Sequence, residues 1–160
     1  MNEDLKTEAL IIWEKGYRLQ LQGKHEEAIS FYQESISIFP TSEAFTFLGW
    51  AFSFKLKYDI AISYCKQAIE IDPDFGNPYN DIGAYLIQLK KYEEAIPWLN
   101  KAIEAKRYDA YHFDYLNLGH VYEELGKWIE AVNYYSTALE IDPSYEAAIT
   151  AKRNLLAKMN

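Results

Sequence analysis

The chain has 160 residues and a formal net charge of −8, from 16 basic and 24 acidic side chains, which argues against a nucleic-acid backbone as partner because phosphate binding needs clustered Lys and Arg. Its 49% apolar and 16% aromatic content exceeds what a disordered chain carries and is ample for a continuous core. The single cysteine, Cys65, excludes an internal disulfide framework, and the longest apolar run, residues 44–52, falls far short of the roughly 18 residues that span a bilayer.

Residues 1–8 (MNEDLKTE) read as an N-terminal extension; they open with acids and not with a basic leader, so a cytoplasmic protein is the expectation. The chain then repeats itself. Gly16 is followed by Ala28, Gly49 by Ala61, Gly83 by Ala95 and Gly119 by Ala131, twelve residues apart each time, while successive glycines lie 33, 34 and 36 apart. All length variation therefore falls in the connectors, and a two-helix hairpin is the rigid unit. A glycine inside a helix costs about 1 kcal/mol against alanine, so four at one register point to close helix approach.

The first hairpin spans 9–41 and the second 42–75, closed by Pro40 and Pro73, because proline cannot continue the helical ladder. The third, 76–111, has Arg107 where the others have proline and carries a two-residue excess, so stacking on the fourth, 112–145, is the least regular joint expected. Pro97, about a turn into a second helix, predicts a slight bend or a late start there. The tail, 146–160, begins like a fifth repeat and stops after one helix. Its apolar side is Ala148, Ile149, Leu155, Leu156 and Met159, its wet side Lys152, Arg153 and Lys158, and it reads as a solubilising cap or as an element swapped between protomers.

Four segments carry a family resemblance: EEAISFYQESISIFP (26–40), DIAISYCKQAIEIDP (59–73), EEAIPWLNKAIEAKR (93–107) and IEAVNYYSTALEIDP (129–143), together with the glycine-containing YNDIGAYL and YLNLGHVY. Over residues 9–145 they resemble the tetratricopeptide repeat (TPR) family. The resemblance implies an all-α fold, a right-handed α-solenoid of four helix-turn-helix hairpins plus a C-terminal capping helix. It also implies a protein-interaction module, an adaptor or scaffold, whose first helices line a concave groove.

At about 100° per residue, offsets −4, −1, 0 and +3 from each glycine form one stripe that is small, apolar or aromatic in every copy apart from Lys15. This stripe predicts packing on the second helices through Ala28, Tyr32, Ser35 and their counterparts. Offsets −6, −3, −2, +1, +4 and +5 form a second stripe, whose chemistry changes between copies and which lines the groove in proteins of this resemblance. In the first two repeats it carries Trp13, Tyr17, Phe47, Trp50 and Phe54; in the last two it carries Asn77, Asn80, Asp81, Asn117, His120 and Glu124. Aromatics give large contact area at low entropic cost, and amides bond an extended backbone, so this set suits a protein or peptide with an apolar anchor and a polar or basic flank. Covering of the aromatics by residues 1–8 or by a second copy, as in a self-associating homodimer, is the alternative reading. Family members that clamp acidic chaperone tails place Lys and Asn, then Asn, then Lys and Arg at registers that here hold Trp13 and Tyr17, then Phe47, then Asn77 and Asp81, so the cations that would hold a carboxylate are missing and such tails are disfavoured. Asn117 matches an asparagine that similar proteins use to grip a ligand backbone.

His25, His112 and His120 occupy different registers without accompanying ligands, so no metal site is expected, and neither a cofactor nor a catalytic constellation is indicated. Cys65, four residues after Ala61, reads as a buried filler.

Overall fold

A computed structural model describes all residues, 1–160, as nine α-helices: α1 (Asn2–Leu21), α2 (His25–Ile38), α3 (Ser42–Ser53), α4 (Tyr58–Ile71), α5 (Asn77–Gln88), α6 (Tyr92–Glu104), α7 (Tyr111–Glu124), α8 (Trp128–Ile141) and α9 (Glu146–Met159). Consecutive helices pack pairwise, and α1, α3, α5 and α7 also touch along one side, which makes an all-α solenoid with four inner helices and α9 against α7 and α8. Residues 2–8 continue α1 and are exposed, so the extension lengthens the first helix and does not fold over its neighbours.

The repeated register sets the packing. Ala28, Ala61, Ala95 and Ala131 are completely buried, as are Tyr32, Cys65, Leu99 and Tyr135 four residues on and Ser35, Ala68, Ala102 and Ala138 three beyond those. Each large side chain of this stripe contributes about 1.5–3 kcal/mol through burial. The glycines opposite allow that approach: a Cβ on Gly49 would lie 2.9 Å from the Ala61 carbonyl oxygen, a backbone atom that cannot swing aside. Two buried serine hydroxyls are satisfied across the same seams, Ser35 Oγ donating to the Ala9 carbonyl at 2.7 Å and Ser42 Oγ to the Ala68 carbonyl at 3.0 Å. Burial also pushes the Cys65 thiol well up, which keeps it protonated and inert.

Each inner helix turns into its partner through one residue with left-handed backbone, seven positions after the repeat glycine: Gly23, Leu56, Lys90 and Gly126. At the other end, α2, α4 and α8 stop at extended residues, Phe39, Asp72 and Asp142, immediately before Pro40, Pro73 and Pro143. Helix α6 starts at Tyr92, the register of Tyr58 and Trp128 in α4 and α8, so Pro97 does not delay it. The proline sits on an exposed position inside the helix.

The long connector after α6 folds back on the preceding one. Arg107 N donates to the Asp74 carbonyl at 2.8 Å, Gly76 N donates to the Arg107 carbonyl at 3.2 Å, and Phe75 and Arg107 form an isolated parallel bridge. The Arg107 guanidinium reaches Asp72 at 2.6 Å and Glu43 at 2.8 Å and lies 4.2 Å from the Phe75 ring centroid. Burial raises the Asp72 carboxyl, but Arg107 and the backbone donors outweigh it and hold the group below its usual range. The departure from the proline pattern thus braces the third repeat against the second.

Candidate binding groove

The inner helices bring most of the second stripe together. Trp13 and Tyr17 of α1 stack in parallel with ring centroids 5.7 Å apart, and both meet the edge of Phe47 of α3 at 5.2 Å. Phe47 in turn meets Trp50 at 5.7 Å. Edge-on and offset contacts of this kind are the favoured geometries of aromatic quadrupoles, so the four rings form one ordered cluster. A concave cavity of about 380 Å³ opens beside it, lined by Tyr17, Thr46, Phe47, Trp50, Asn77, Asp81 and Phe113. All four inner helices contribute a residue to this cavity.

The polar half is organised by internal bonds. Asn117 Nδ2 donates to Asn80 Oδ1 at 3.0 Å, joining α7 to α5. Tyr135 Oη lies 2.8 Å from Glu123 Oε2 and 3.0 Å from His120 Nδ1. A phenol has one proton, and the carboxylate can only accept, so Tyr135 donates to Glu123 and His120 donates to Tyr135 from Nδ1. Burial holds the His120 imidazole below its ordinary value, against the pull of Glu123 and Glu124, which favours this neutral tautomer. Glu123 also accepts from Lys158 Nζ of α9 at 2.7 Å, and these hydrogen bonds outweigh burial and keep its carboxyl below the usual range. The network ties the last helix to the fourth hairpin.

Of the groove residues expected from the sequence, Tyr17, Phe47, Trp50, Asn77 and Asp81 line the cavity, and Trp13, Phe54, Asn80, Asn117, His120 and Glu124 do not. Phe54 caps the end of α3, is 51% exposed, and stacks at 4.1 Å on His25, beyond the cavity wall. Glu124 is exposed at the end of α7 beside Tyr92, whose hydroxyl is raised first by burial and then by that carboxylate, so it too stands at the rim. Offset +4 is drawn into the core in the first repeat: Gln20 is 3% exposed and accepts from Tyr32 Oη at 2.7 Å. A tyrosine at the register of Tyr32 and Tyr135 carries a hydroxyl that needs a partner in the facing helix, and Gln20 and Glu123 supply it.

One buried acid lies off both stripes. Asp114, at offset −5, is completely buried, and neither carboxyl oxygen has a hydrogen-bond partner. Burial pushes it up to about 7, with a further push from Asp81 and partial relief from Tyr108. Asp81 is also pushed up to about 7 by burial, partly opposed by the Asn80 amide. An acid where its counterparts are Ile11, Ala44 and Pro78 was the available sequence signal.

A solenoid of helical hairpins with a concave face is the architecture of protein-interaction repeats. Tetratricopeptide-repeat family models match residues 11–42, 42–75 and 74–144, and the chain belongs to that family. It is 28% identical over 130 residues to anaphase-promoting complex subunit 6 of Arabidopsis thaliana, an alignment covering 79% of this chain and 24% of that protein. It is 37% identical over 78 residues to small glutamine-rich tetratricopeptide repeat-containing protein 2 of Mycosarcoma maydis, covering 48% and 22%. The chain thus spans no more than a quarter of these relatives. Among solved structures, one from the functional characterization of Pseudomonas aeruginosa pilF superposes with a TM-score of 0.88 at 21% identity, over 99% of this chain and 70% of the other, which shows the shared fold. No helix is long and apolar enough to cross a membrane.

Proposed function

We propose that this chain is an adaptor or scaffold module that holds an extended segment of a partner protein in the groove of α1, α3, α5 and α7. The observation that carries the reading is the cavity beside the Trp13, Tyr17, Phe47 and Trp50 cluster, with contributions from all four inner helices. Preformed aromatic rings lose little freedom on binding and so return most of their contact energy, the property that makes Trp and Tyr frequent anchors. The Asn80 and Asn117 amides, aligned by their mutual bond, then offer one donor set and one acceptor to a backbone running along the polar half. The anchor is apolar and the flank polar or basic, because the groove's acids outnumber its cations.

Affinity capture with wild type and Trp50→Ala, each checked by circular dichroism and light scattering, tests this reading. The expected result is a partner retained by the wild type and lost from a helical Trp50→Ala variant. Unchanged capture by that variant would remove the groove assignment. Dimerisation of the wild type that Trp50→Ala abolishes would favour the groove as a self-association surface.

A further inference from the structure

We infer that the cavity between the aromatic and polar halves of the groove is a socket for one basic side chain, arginine or lysine, of the bound segment. This rests on the groove reading above and specifies its chemistry.

The cavity's charge is complementary to a cation. Tyr17, Phe47, Trp50 and Phe113 present rings to the cavity, and Asp81 is its only charged lining residue. Asp81 makes no ion pair, in a protein where Glu14, Glu26, Asp72 and Glu123 each find Lys or Arg. Asp114 lies near enough for Asp81 to raise it, and it too has no cation beside it, its only relief being partial and from Tyr108 and its own backbone. A desolvated carboxylate without a counter-ion is costly, and here two share the α5 and α7 region. Their shifts toward neutrality have desolvation as the first cause, as expected where no positive charge is present. An arriving guanidinium or ammonium would supply that charge, while the ring faces attract a cation through their quadrupoles. Guanidinium fits better in principle, since its flat fork can meet Asp81 and lie against a ring together. No Lys or Arg of the protein lines the cavity, and Arg107 is held by Asp72 and Glu43.

The test is a selection of phage-displayed random dodecapeptides on the intact chain, with counter-selection on Trp50→Ala, at pH 7.5. Enriched peptides are synthesised, and so are versions with arginine replaced by citrulline or lysine by norleucine. Affinities are measured for wild type and Asp81→Asn. Trp50-dependent peptides carrying a shared basic residue are expected, with at least a tenfold loss on its neutralisation and a comparable loss in Asp81→Asn. Trp50-dependent peptides lacking a basic residue, or indifferent to its neutralisation, would overturn the socket and leave the groove reading standing. Absence of any Trp50-dependent peptide would overturn both. The citrulline and norleucine comparison needs no protein variant, so it decides the matter even where Asp81→Asn fails to fold.

Discussion

Asn117 donates its side-chain amide to Asn80 across the seam between α7 and α5, at 3.0 Å. Bonding each other, the two amides are held in one orientation, with the Asn117 oxygen uncommitted and the Asn80 NH₂ shared with Asp81, whose carboxyl it partly relieves. Removing either residue therefore also disorders the other. Asn117→Ala and Asn80→Ala should each weaken a groove-binding peptide by about 5–10-fold, a loss of about 1–1.4 kcal/mol. The double variant should lose little more than either single one, giving a coupling energy of about 1 kcal/mol in a calorimetric double-mutant cycle. Fully additive losses would show that the two amides act independently.

Restoring the repeat pattern should harm this protein. Arg107→Pro returns the third hairpin to the proline of the other three, but it deletes the N–H donated to Asp74 and the guanidinium that joins Asp72 to Glu43. About half of the Arg107 side chain is exposed, so its ion pairs are partly screened and the backbone bond carries a substantial share. A destabilisation of about 1–3 kcal/mol is expected by urea unfolding, with Arg107→Lys intermediate because an ammonium cannot make the forked contact.

The difference between what the sequence revealed and what it hid follows from period. Packing positions recur every 33 to 36 residues with the same chemistry, so Ala28, Leu48, Leu99 and Tyr135 could be placed before any coordinates, and all proved buried. The aromatic cluster was legible for the same reason, since Trp13, Tyr17, Phe47 and Trp50 share one helical face. Contacts between copies were not legible, because they depend on how far one hairpin slides past the next. The Asn80–Asn117 bond, the fold-back of Arg107 and the burial of Asp114 are all of this kind. Phe54 and Glu124 moved to the rim because α3 and α7 end at or beside them, and a stripe drawn at constant angle does not register a helix terminus.

The four hairpin turns offer a stabilising change. Leu56 and Lys90 occupy left-handed backbone, with φ of 58° and 59°, at the register where the first and fourth repeats have Gly23 and Gly126. A side chain there is strained against its own carbonyl by about 1–2 kcal/mol. Leu56 is 73% exposed and so returns little burial. Leu56→Gly should raise stability by about 0.5–1 kcal/mol, the strain relief being partly offset by the added freedom of the unfolded chain. Lys90→Gly should act similarly, and the two should add, since they lie in separate hairpins. The midpoint in urea at unchanged slope reads both; a decrease for either would mean that the turn is not strained.

Asp114 makes stability depend on pH in an unusual direction. Its unfolded value is near 3.8 and burial raises it in the fold to about 7, so the folded state binds the extra proton across that interval. The stability this confers is complete below the unfolded value and is lost as pH rises to 7, the reverse of an ion-paired aspartate. Asp81 works in the same sense. His120, held below its ordinary value, works oppositely near pH 6, and the lowered Asp72 and Glu123 lose their contribution only under more acid conditions. Comparing wild type with Asp114→Asn cancels the contributions of His120, Asp72 and Glu123, while Asp81, which is coupled to Asp114, shifts in the same sense. The amide cannot ionise, so the variant should be more stable than wild type by about 1–2 kcal/mol at pH 7.5, with the difference shrinking or reversing at pH 5. Thermal unfolding at half-unit intervals between pH 5 and 8 measures the difference directly. A constant offset across that range would mean that Asp114 keeps an ordinary carboxyl value and has a donor in solution.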